Sequence, residues 1–233
     1  MDGKPLIFDD AGVVGGNEVF KDRGTGSHWQ QSSLQAISGP LRGKHLQLYP
    51  FLLTTWREWR RLHPNTLVLK PLPGYVERIP EMNQMIRAGV SANSAAPKGL
   101  LHTDSRLPPH TMILGLDVRD ASEAFPLGAL RKARVIQVEL GGEPVVVVHQ
   151  GDSDTTTAFA ARAGGRTLHF NPSGNAGAMG LTDDETKSHW TAYGECTEGR
   201  LKGSHLKPLI LEPEYWFAWS EFHPGSKIFA APN

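Results

Sequence analysis

A pattern of nine residues that occurs twice constrains this chain more than any other feature. Its first copy runs from Trp56 to Pro64 and its second from Trp216 to Pro224. Trp, Trp and His recur at i, i+3 and i+7, which places the three side chains on one face of a short helix. Proline ends the helix, because it lacks an N–H group and disfavours the α conformation in the preceding residue. The pattern predicts two equivalent short helices whose tryptophans pack inward.

The two copies also share residues well before these helices. The offset between equivalent positions falls only from 162 (Leu168 against Leu6) to 160 (Trp216 against Trp56). An ordered set of matches at a nearly constant offset indicates internal duplication. The other matched positions are Asp22 with Asp183, Ser27-His28-Trp29 with Ser188-His189-Trp190, and His45-Leu46 with His205-Leu206.

The duplication divides the chain into three parts. Residues 1–70 form a first, incomplete repeat unit, residues 71–106 a wrapping connector, and residues 107–233 a second, complete unit. The connector is rich in Pro, Gly, Ala, Ser and Asn, with one short helix expected near residues 81–87. In the second unit, residues 135–140 alternate in polarity and Gly141-Gly142 predicts a hairpin turn into a Val-rich strand.

These features predict a mostly β, β-rich α+β fold. We expect two pseudo-repeated barrel- or sandwich-like β units, each closed by one short Trp-containing helix. The first unit lacks counterparts of the strands at residues 111–160, as if the chain began partway into it. Because proteins rarely leave long strand edges unpaired, we expect both copies to share those strands in one fused, monomeric body. A two-fold homodimer that pairs the open edges is the alternative.

Composition narrows the classes of function. Lys+Arg and Asp+Glu balance at 24 each, so no net charge directs the chain toward nucleic acid. No run approaches the roughly 20 apolar residues that span a bilayer, and the first residues do not resemble a secretion signal. The single cysteine, Cys196, excludes an internal disulfide and a Cys-rich metal cluster. We therefore expect a cytoplasmic protein that binds neither nucleic acid nor membrane.

Histidine gives the clearest chemical signal, with ten residues of which six occupy three repeated positions. Because Trp29 and Leu46 are expected to point inward, the histidines beside them should point outward. Such a two-histidine pair could bind iron or copper, with a carboxylate or water completing the coordination shell. The predicted metal ligands are His28, His45, His189 and His205. His63 and His223 are instead expected to be structural, bonding free carbonyls at the helix ends.

Other candidate sites have simpler explanations. The Gly-rich residues 12–17 are expected to form a plain turn, since no helix follows them. Residues 151–155 offer hydroxyls and carboxylates for a cation or an Asx turn, and no histidine has a readable relation to Ser153 as a nucleophile. Cys196 aligns with Ala36, which indicates a small buried position.

Several ordered segments resemble a prokaryotic family known as domain of unknown function 3179. The resemblance implies a β-rich fold with internal pseudo-symmetry and no established activity. Two departures matter. The fuller members of the family carry a Cys-Pro-Leu-Cys segment where this chain has residues 150–153, and the family usually has an apolar residue where His28 and His189 precede tryptophan. A metal or redox role that rests on those cysteines cannot operate here. The segments are 39–43, 54–59, 63–66, 107–109, 114–116, 125–127 and 141–147.

Two functional hypotheses follow. The first is a metal-dependent, redox-type enzyme that uses iron or copper on the four outward histidines to act on a small molecule. The second is a non-catalytic module in which the duplicated β scaffold binds a small molecule or a peptide. Neither the substrate nor the reaction can be read from the residues.

Overall fold

The computed structural model describes residues 5–70, 72–88, 91–174 and 179–231. The five helices of these residues are α1 (Trp56–Leu62), α2 (Pro73–Val76), α3 (Ile79–Ala88), α4 (Leu127–Ala133) and α5 (Trp216–Phe222). The strands are β1 (Phe8–Val14), β2 (Asn17–Asp22), β3 (His28–Gln30), β4 (Ala36–Ser38), β5 (Met112–Val118), β6 (Ala121–Pro126), β7 (Val135–Leu140), β8 (Glu143–Gln150), β9 (Thr155–Ala160), β10 (Arg162–Ala163), β11 (Arg166–Thr167), β12 (Phe170–Ser173), β13 (Gly180–Asp183), β14 (His189–Thr191), β15 (Cys196–Glu198), β16 (Lys207–Leu209), β17 (Leu211–Tyr215) and β18 (Lys227–Ile228).

The predicted mostly β, sandwich-like fold is confirmed. The strands form four four-stranded sheets and one two-stranded ribbon, β10-β11. We name the first-copy sheet (β1-β2-β3-β4), the second-copy sheet (β12-β13-β14-β15), the middle sheet (β16-β9-β8-β7) and the helix-facing sheet (β17-β5-β6-β18). No closed barrel is present among the described residues.

The second unit is a stack of layers. One apolar core, with Leu116, Phe125 and Val147, fills the space between the helix-facing and middle sheets. A second core, with Val146 and Trp190, joins the opposite face of the middle sheet to the second-copy sheet. Val146 and Val147 pack into different cores because successive side chains of a strand point to opposite faces of the sheet. This double burial explains the continuous run of valines in β8, which a half-exposed strand would not tolerate.

Each copy's sheet is held by the same clamp around a buried aspartate. Asp22 Oδ2 accepts a hydrogen bond from Trp29 Nε1 at 3.0 Å, and Asp183 Oδ2 accepts one from Trp190 Nε1 at 2.9 Å. Burial raises the pKa of Asp22, but the hydrogen bonds from Trp29 and Thr25 outweigh it and lower the pKa to about 2. Both carboxylates therefore stay ionised near neutral pH, as acceptors for the groups around them.

The predicted hairpin turn after β7 is present, and Gly141 explains it. Gly141 has a φ of 56°, and a Cβ there would lie 2.3 Å from the carbonyl oxygen of Val118. Only glycine satisfies both the left-handed backbone and the close approach. The helix expected near residues 81–87 is found as α3, whereas α4 interrupts residues 111–160, a stretch expected to be rich in strands.

The first copy departs from the second after its sheet. Residues 47–49 and 51–55 are equivalent to β16 and β17 but form no strand, and α1 has no buried residue. The inward packing predicted for both tryptophan helices holds for α5 and is wrong for α1. Trp216 is fully buried, whereas Trp56 is 52% exposed. The reason is that no sheet lies over α1 in the described part of the chain.

Contacts nevertheless join the first copy to the second unit at both ends. Ser32 Oγ donates a hydrogen bond to Glu214 Oε1 at 2.8 Å, and the turn of the β1–β2 hairpin packs against α5. Thr54 Oγ1 lies 2.6 Å from Thr155 Oγ1. These are side-chain contacts, and the first-copy sheet shares no strand ladder with the other described sheets. No helix in the described ranges has both the length and the apolar character that crossing a bilayer requires.

Candidate functional site

The first candidate site is an apolar cavity of about 610 Å³. It lies between residues 50–53 of the first copy and the edge where β9, β16 and β17 meet. Leu114, Ala158 and Leu211 line it and also belong to the core between the middle and helix-facing sheets. The cavity is therefore an open continuation of a hydrophobic core.

The polar side chains that line this cavity come from few segments of the chain. They come from β9, the loop before it, and the loop after β14. Thr157 Oγ1 donates a hydrogen bond to the carbonyl of Ala192. Thr156 lies on the opposite face of β9, the face that it shares with the core residue Ala158. The polar lining residues are Asp154, Thr156, Thr157 and Tyr193.

Behind Thr156 lies a chain of polar contacts. Thr156 is paired with His149 across the β8–β9 ladder, and Thr156 Oγ1 lies 3.0 Å from His149 Nδ1. His149 Nε2 lies 3.5 Å from Asp154 Oδ1, and Asp154 accepts hydrogen bonds from Arg131 Nε at 3.0 Å and Nη2 at 2.7 Å. The hairpin thus aligns a hydroxyl, an imidazole and a carboxylate, and the guanidinium of Arg131 binds both oxygens of that carboxylate.

The environment sets the protonation of this chain. His149 is 1% exposed, and burial lowers its pKa more than the Asp154 carboxylate raises it. The hydrogen bonds from Arg131 lower the pKa of Asp154. His149 is consequently neutral and Asp154 ionised at neutral pH. Asp154 also adopts a left-handed φ of 48°, which is uncommon for a residue other than glycine.

A second space, a groove of about 1390 Å³, runs between α1 and the second-copy sheet. Tyr193 lines both the groove and the apolar cavity, and its hydroxyl donates a hydrogen bond to Glu58 of α1. Gln150 Nε2 and Ser153 Oγ are buried there without a hydrogen-bond partner among the described residues. Tyr193 thus lies between the apolar cavity and the groove.

Carboxylates also cluster beside α5. His223 Nε2 lies 2.8 Å from Asp117 Oδ2, and Glu212 and Glu214 project from β17 on the face toward α5. Burial, followed by repulsion from Glu214 and Asp117, raises the pKa of Glu212 to about 7. This cluster joins three acidic residues and one histidine, although Ser32 of the first copy occupies one oxygen of Glu214.

The structure places the four predicted metal ligands in the two copies' sheets and the bridges beside them. His28 Nδ1 lies 3.0 Å from Ser38 Oγ, and His189 Nδ1 lies 3.2 Å from Thr182 Oγ1. His45 and His205 sit in isolated bridges with Gln35 and Glu195. Within the described ranges, no group of three or more His, Cys, Asp or Glu residues could hold a metal ion. The iron or copper hypothesis therefore stays a prediction that rests on two-histidine pairs.

The Gly-rich turn, Cys196 and His223 have the structural roles that were expected for them. Residues 14–17 form the hairpin turn, with Gly15 and Gly16 against α5. Cys196 is 1% exposed in β15, and burial raises the pKa of its thiol. His223 Nδ1 donates to the carbonyl of Trp219 at 3.1 Å, which confirms the predicted helix-end contact for this histidine.

Sequence reasoning missed the His149–Thr156 pair. A signal was available, because a hairpin loop at residues 151–154 pairs residue 150 with residue 155 and so 149 with 156. Ser153, the hydroxyl residue singled out in that loop by the sequence, lines the groove, and its Oγ has no hydrogen-bond partner among the described residues.

Comparison with known proteins agrees with the resemblance stated above. No curated protein and no solved structure matches the chain. A family model described as "Protein of unknown function (DUF3179)" matches residues 1–226. Since this match covers nearly the whole sequence, the chain belongs to the DUF3179 family.

Proposed function

We propose that this protein is a binding module for a small molecule with an apolar body, which occupies the cavity beneath residues 50–53. The observation that carries the proposal is the cavity itself, which has a volume of about 610 Å³, mostly apolar walls and only four polar lining side chains. Ligand sites are typically concave, about 300–1,000 Å³ in volume, and mostly apolar, with few polar groups that orient the ligand.

The position of the cavity also supports binding. An apolar hollow that continues a hydrophobic core lets a ligand gain burial without repacking the protein. Phe51 and Leu53 line the hollow and are 50% and 57% exposed, so a ligand that contacts them would remove apolar surface of both partners from water. Burial of that surface contributes about 25 cal/mol for each Å².

Binding is favoured over the metal-dependent hypothesis by the placement of the histidines. None of the four predicted ligands lines the cavity, and only His189 lines the groove. Metal chemistry at the two-histidine pairs would thus act away from the enclosed apolar space. Elemental analysis of protein purified without a histidine tag tests that second hypothesis, with iron or copper near one equivalent as the result that favours it.

The test of binding uses 1-decanol and isothermal titration calorimetry. We expect saturable binding with a negative heat-capacity change, which is the signature of apolar burial. Leu53→Trp fills the mouth of the cavity and should weaken binding by ~10-fold or more. Leu69→Trp is the matched control, because Leu69 is 92% exposed and does not line the cavity. Equal affinity in both variants, or no saturable binding to the unmodified protein, would contradict the proposal.

A further inference from the structure

We propose that Thr156, His149 and Asp154 form an acyl-transfer centre beside the cavity, which hydrolyses esters of apolar acyl chains. The inference rests on the proposed function, because the acyl chain is the apolar body that the cavity would hold. It adds a reaction to what would otherwise be a binding site.

The geometry is that of a nucleophile, a base and an orienting carboxylate. Thr156 Oγ1 lies 3.0 Å from His149 Nδ1, within the range for a base that accepts the proton of a nucleophile. Asp154 Oδ1 lies 3.5 Å from the other ring nitrogen, Nε2. Arg131 binds Asp154 through two hydrogen bonds and so holds the carboxylate in place. Thr156 and Asp154 line the cavity, and His149 lies behind them.

The protonation states match these roles. A neutral His149 with its hydrogen on Nε2 leaves Nδ1 free to accept the hydroxyl hydrogen of Thr156. The ionised Asp154 faces that Nε2–H group and stabilises the imidazolium that forms when the base takes up a proton. The burial that keeps His149 neutral also strengthens the attraction between the imidazolium and the carboxylate.

A purely structural role explains this arrangement less well. His149 Nε2 is buried and has no hydrogen-bond partner within normal distance in the described residues. A buried polar atom in that state costs free energy, and an apolar residue on β8 would avoid the cost. The left-handed backbone of Asp154 adds strain at the same place. Both features are expected where tight Asp154–His149 contact forms only with substrate present.

The reaction proceeds in two balanced steps. Thr156 Oγ1 bonds to the ester carbonyl carbon while its proton moves to His149 Nδ1, and the carbon–oxygen bond to the alcohol then breaks as the alcohol takes that proton. Water next attacks the acyl-Thr156 ester and gives its proton to His149 Nδ1. Thr156 oxygen leaves, recovers the proton, and the carboxylic acid is released. Only ester and water are consumed.

The test measures hydrolysis of p-nitrophenyl octanoate and, separately, binding of 1-decanol. Thr156→Val keeps the side-chain shape and removes the hydroxyl, so kcat/KM should fall by ~100-fold or more while decanol still binds. Thr182→Val is the matched control, because Thr182 also faces a histidine across a strand pair, with Oγ1 3.2 Å from His189 Nδ1, but lies outside the cavity. That variant should hydrolyse the ester as the unmodified protein does.

A second readout identifies the nucleophile directly. An alkyl fluorophosphonate should modify the peptide that contains Thr156, detected by mass spectrometry, and should not modify Thr156→Val. Decanol binding without hydrolysis or labelling would overturn the inference and leave the proposed binding function standing. Hydrolysis that survives Thr156→Val would also overturn it. Absence of decanol binding would instead contradict the proposed function on which the inference rests.

Discussion

Helices α1 and α5 carry the same motif and share two local hydrogen bonds, yet only α5 is buried. Trp59 Nε1 donates to Thr66 Oγ1 at 2.9 Å, and Trp219 Nε1 donates to Ser226 Oγ at 2.9 Å. In each helix the backbone N–H of the final histidine bonds to the carbonyl of the second tryptophan. Trp219 is nevertheless fully buried, whereas α1 has no buried residue. The motif thus specifies a helix and its ending, and leaves burial undetermined.

The difference lies in what each helix packs against. Helix α5 covers the helix-facing sheet, where Trp216 and Trp219 contact Ile113 and Ala124. A Cβ on Gly115 would lie 2.2 Å from the ring of Trp219, so this glycine makes room for the tryptophan. Helix α1 contacts the β8–β9 loop through Arg57, whose Nη2 donates to the carbonyl of Asp152 at 3.2 Å. A loop gives a helix fewer apolar neighbours than a sheet does.

Truncation of the second tryptophan should show the largest contrast. Trp219→Ala removes a fully buried ring and should lower the free energy of unfolding by about 3–5 kcal/mol. Trp59→Ala removes a partly exposed ring, and the loss should be about 1 kcal/mol. Urea denaturation of both variants measures the difference. Equal losses would mean that α1 is covered in solution by a surface that the described residues do not provide.

Glu212 in the second copy occupies the position that Leu52 occupies in the first. We expect this carboxyl group to make the free energy of unfolding depend on pH. Its pKa is raised to about 7, mainly by burial, so between its usual value of 4.5 and 7 the folded protein binds more protons than the unfolded chain. The contribution of Glu212 to stability is fully present below that window and is lost as pH rises through it, by up to about 3 kcal/mol. Glu212→Gln should remove this slope, measured by urea denaturation at about pH 5 and about pH 8. An unchanged slope would place Glu212 in water.

The two helix-end histidines should show the smallest contrast. The ring of His223 stacks on Trp219 with centroids 3.6 Å apart, whereas His63 is tilted by 41° against Trp59. Burial lowers the pKa of His223, but its contact with Asp117 outweighs burial and the pKa is raised. A raised pKa means that the protonated histidine stabilises the fold below about pH 6.5, and that this contribution is lost as pH rises through the folded-state pKa.

We therefore expect His223→Gln to cost about 1–2 kcal/mol at about pH 6 and less at about pH 9. His63→Gln, at an exposed position, should cost under about 0.5 kcal/mol at either pH. Chemical denaturation at the two pH values checks both, and decanol binding should stay unchanged in each variant. A His223→Gln cost that does not vary with pH would show that Asp117 does not hold the proton on the imidazole.

The residue pattern predicted those parts of the structure that depend on neighbours close in the chain. Thr55 caps α1 by accepting a hydrogen bond from the Glu58 N–H group three residues on, and a Thr followed by Glu at this spacing is the sequence pattern of a helix start. The Gly141-Gly142 hairpin and the alternation of β7 follow in the same way. The pattern also predicted that Asp22 and Asp183 are equivalent, and each binds the tryptophan seven residues after it. Local geometry alone decides such contacts.

Only the tertiary structure decided which of the two tryptophan helices is buried and where a ligand could enter. The burial of Trp219 depends on Gly115, more than a hundred residues earlier, and the same motif in the first copy has no such partner in the described residues. The cavity likewise needs residues 50–53 to lie against β9 and β17. The reason is physical: apolar burial is non-directional, so a sequence pattern marks a face as apolar without naming the surface that covers it.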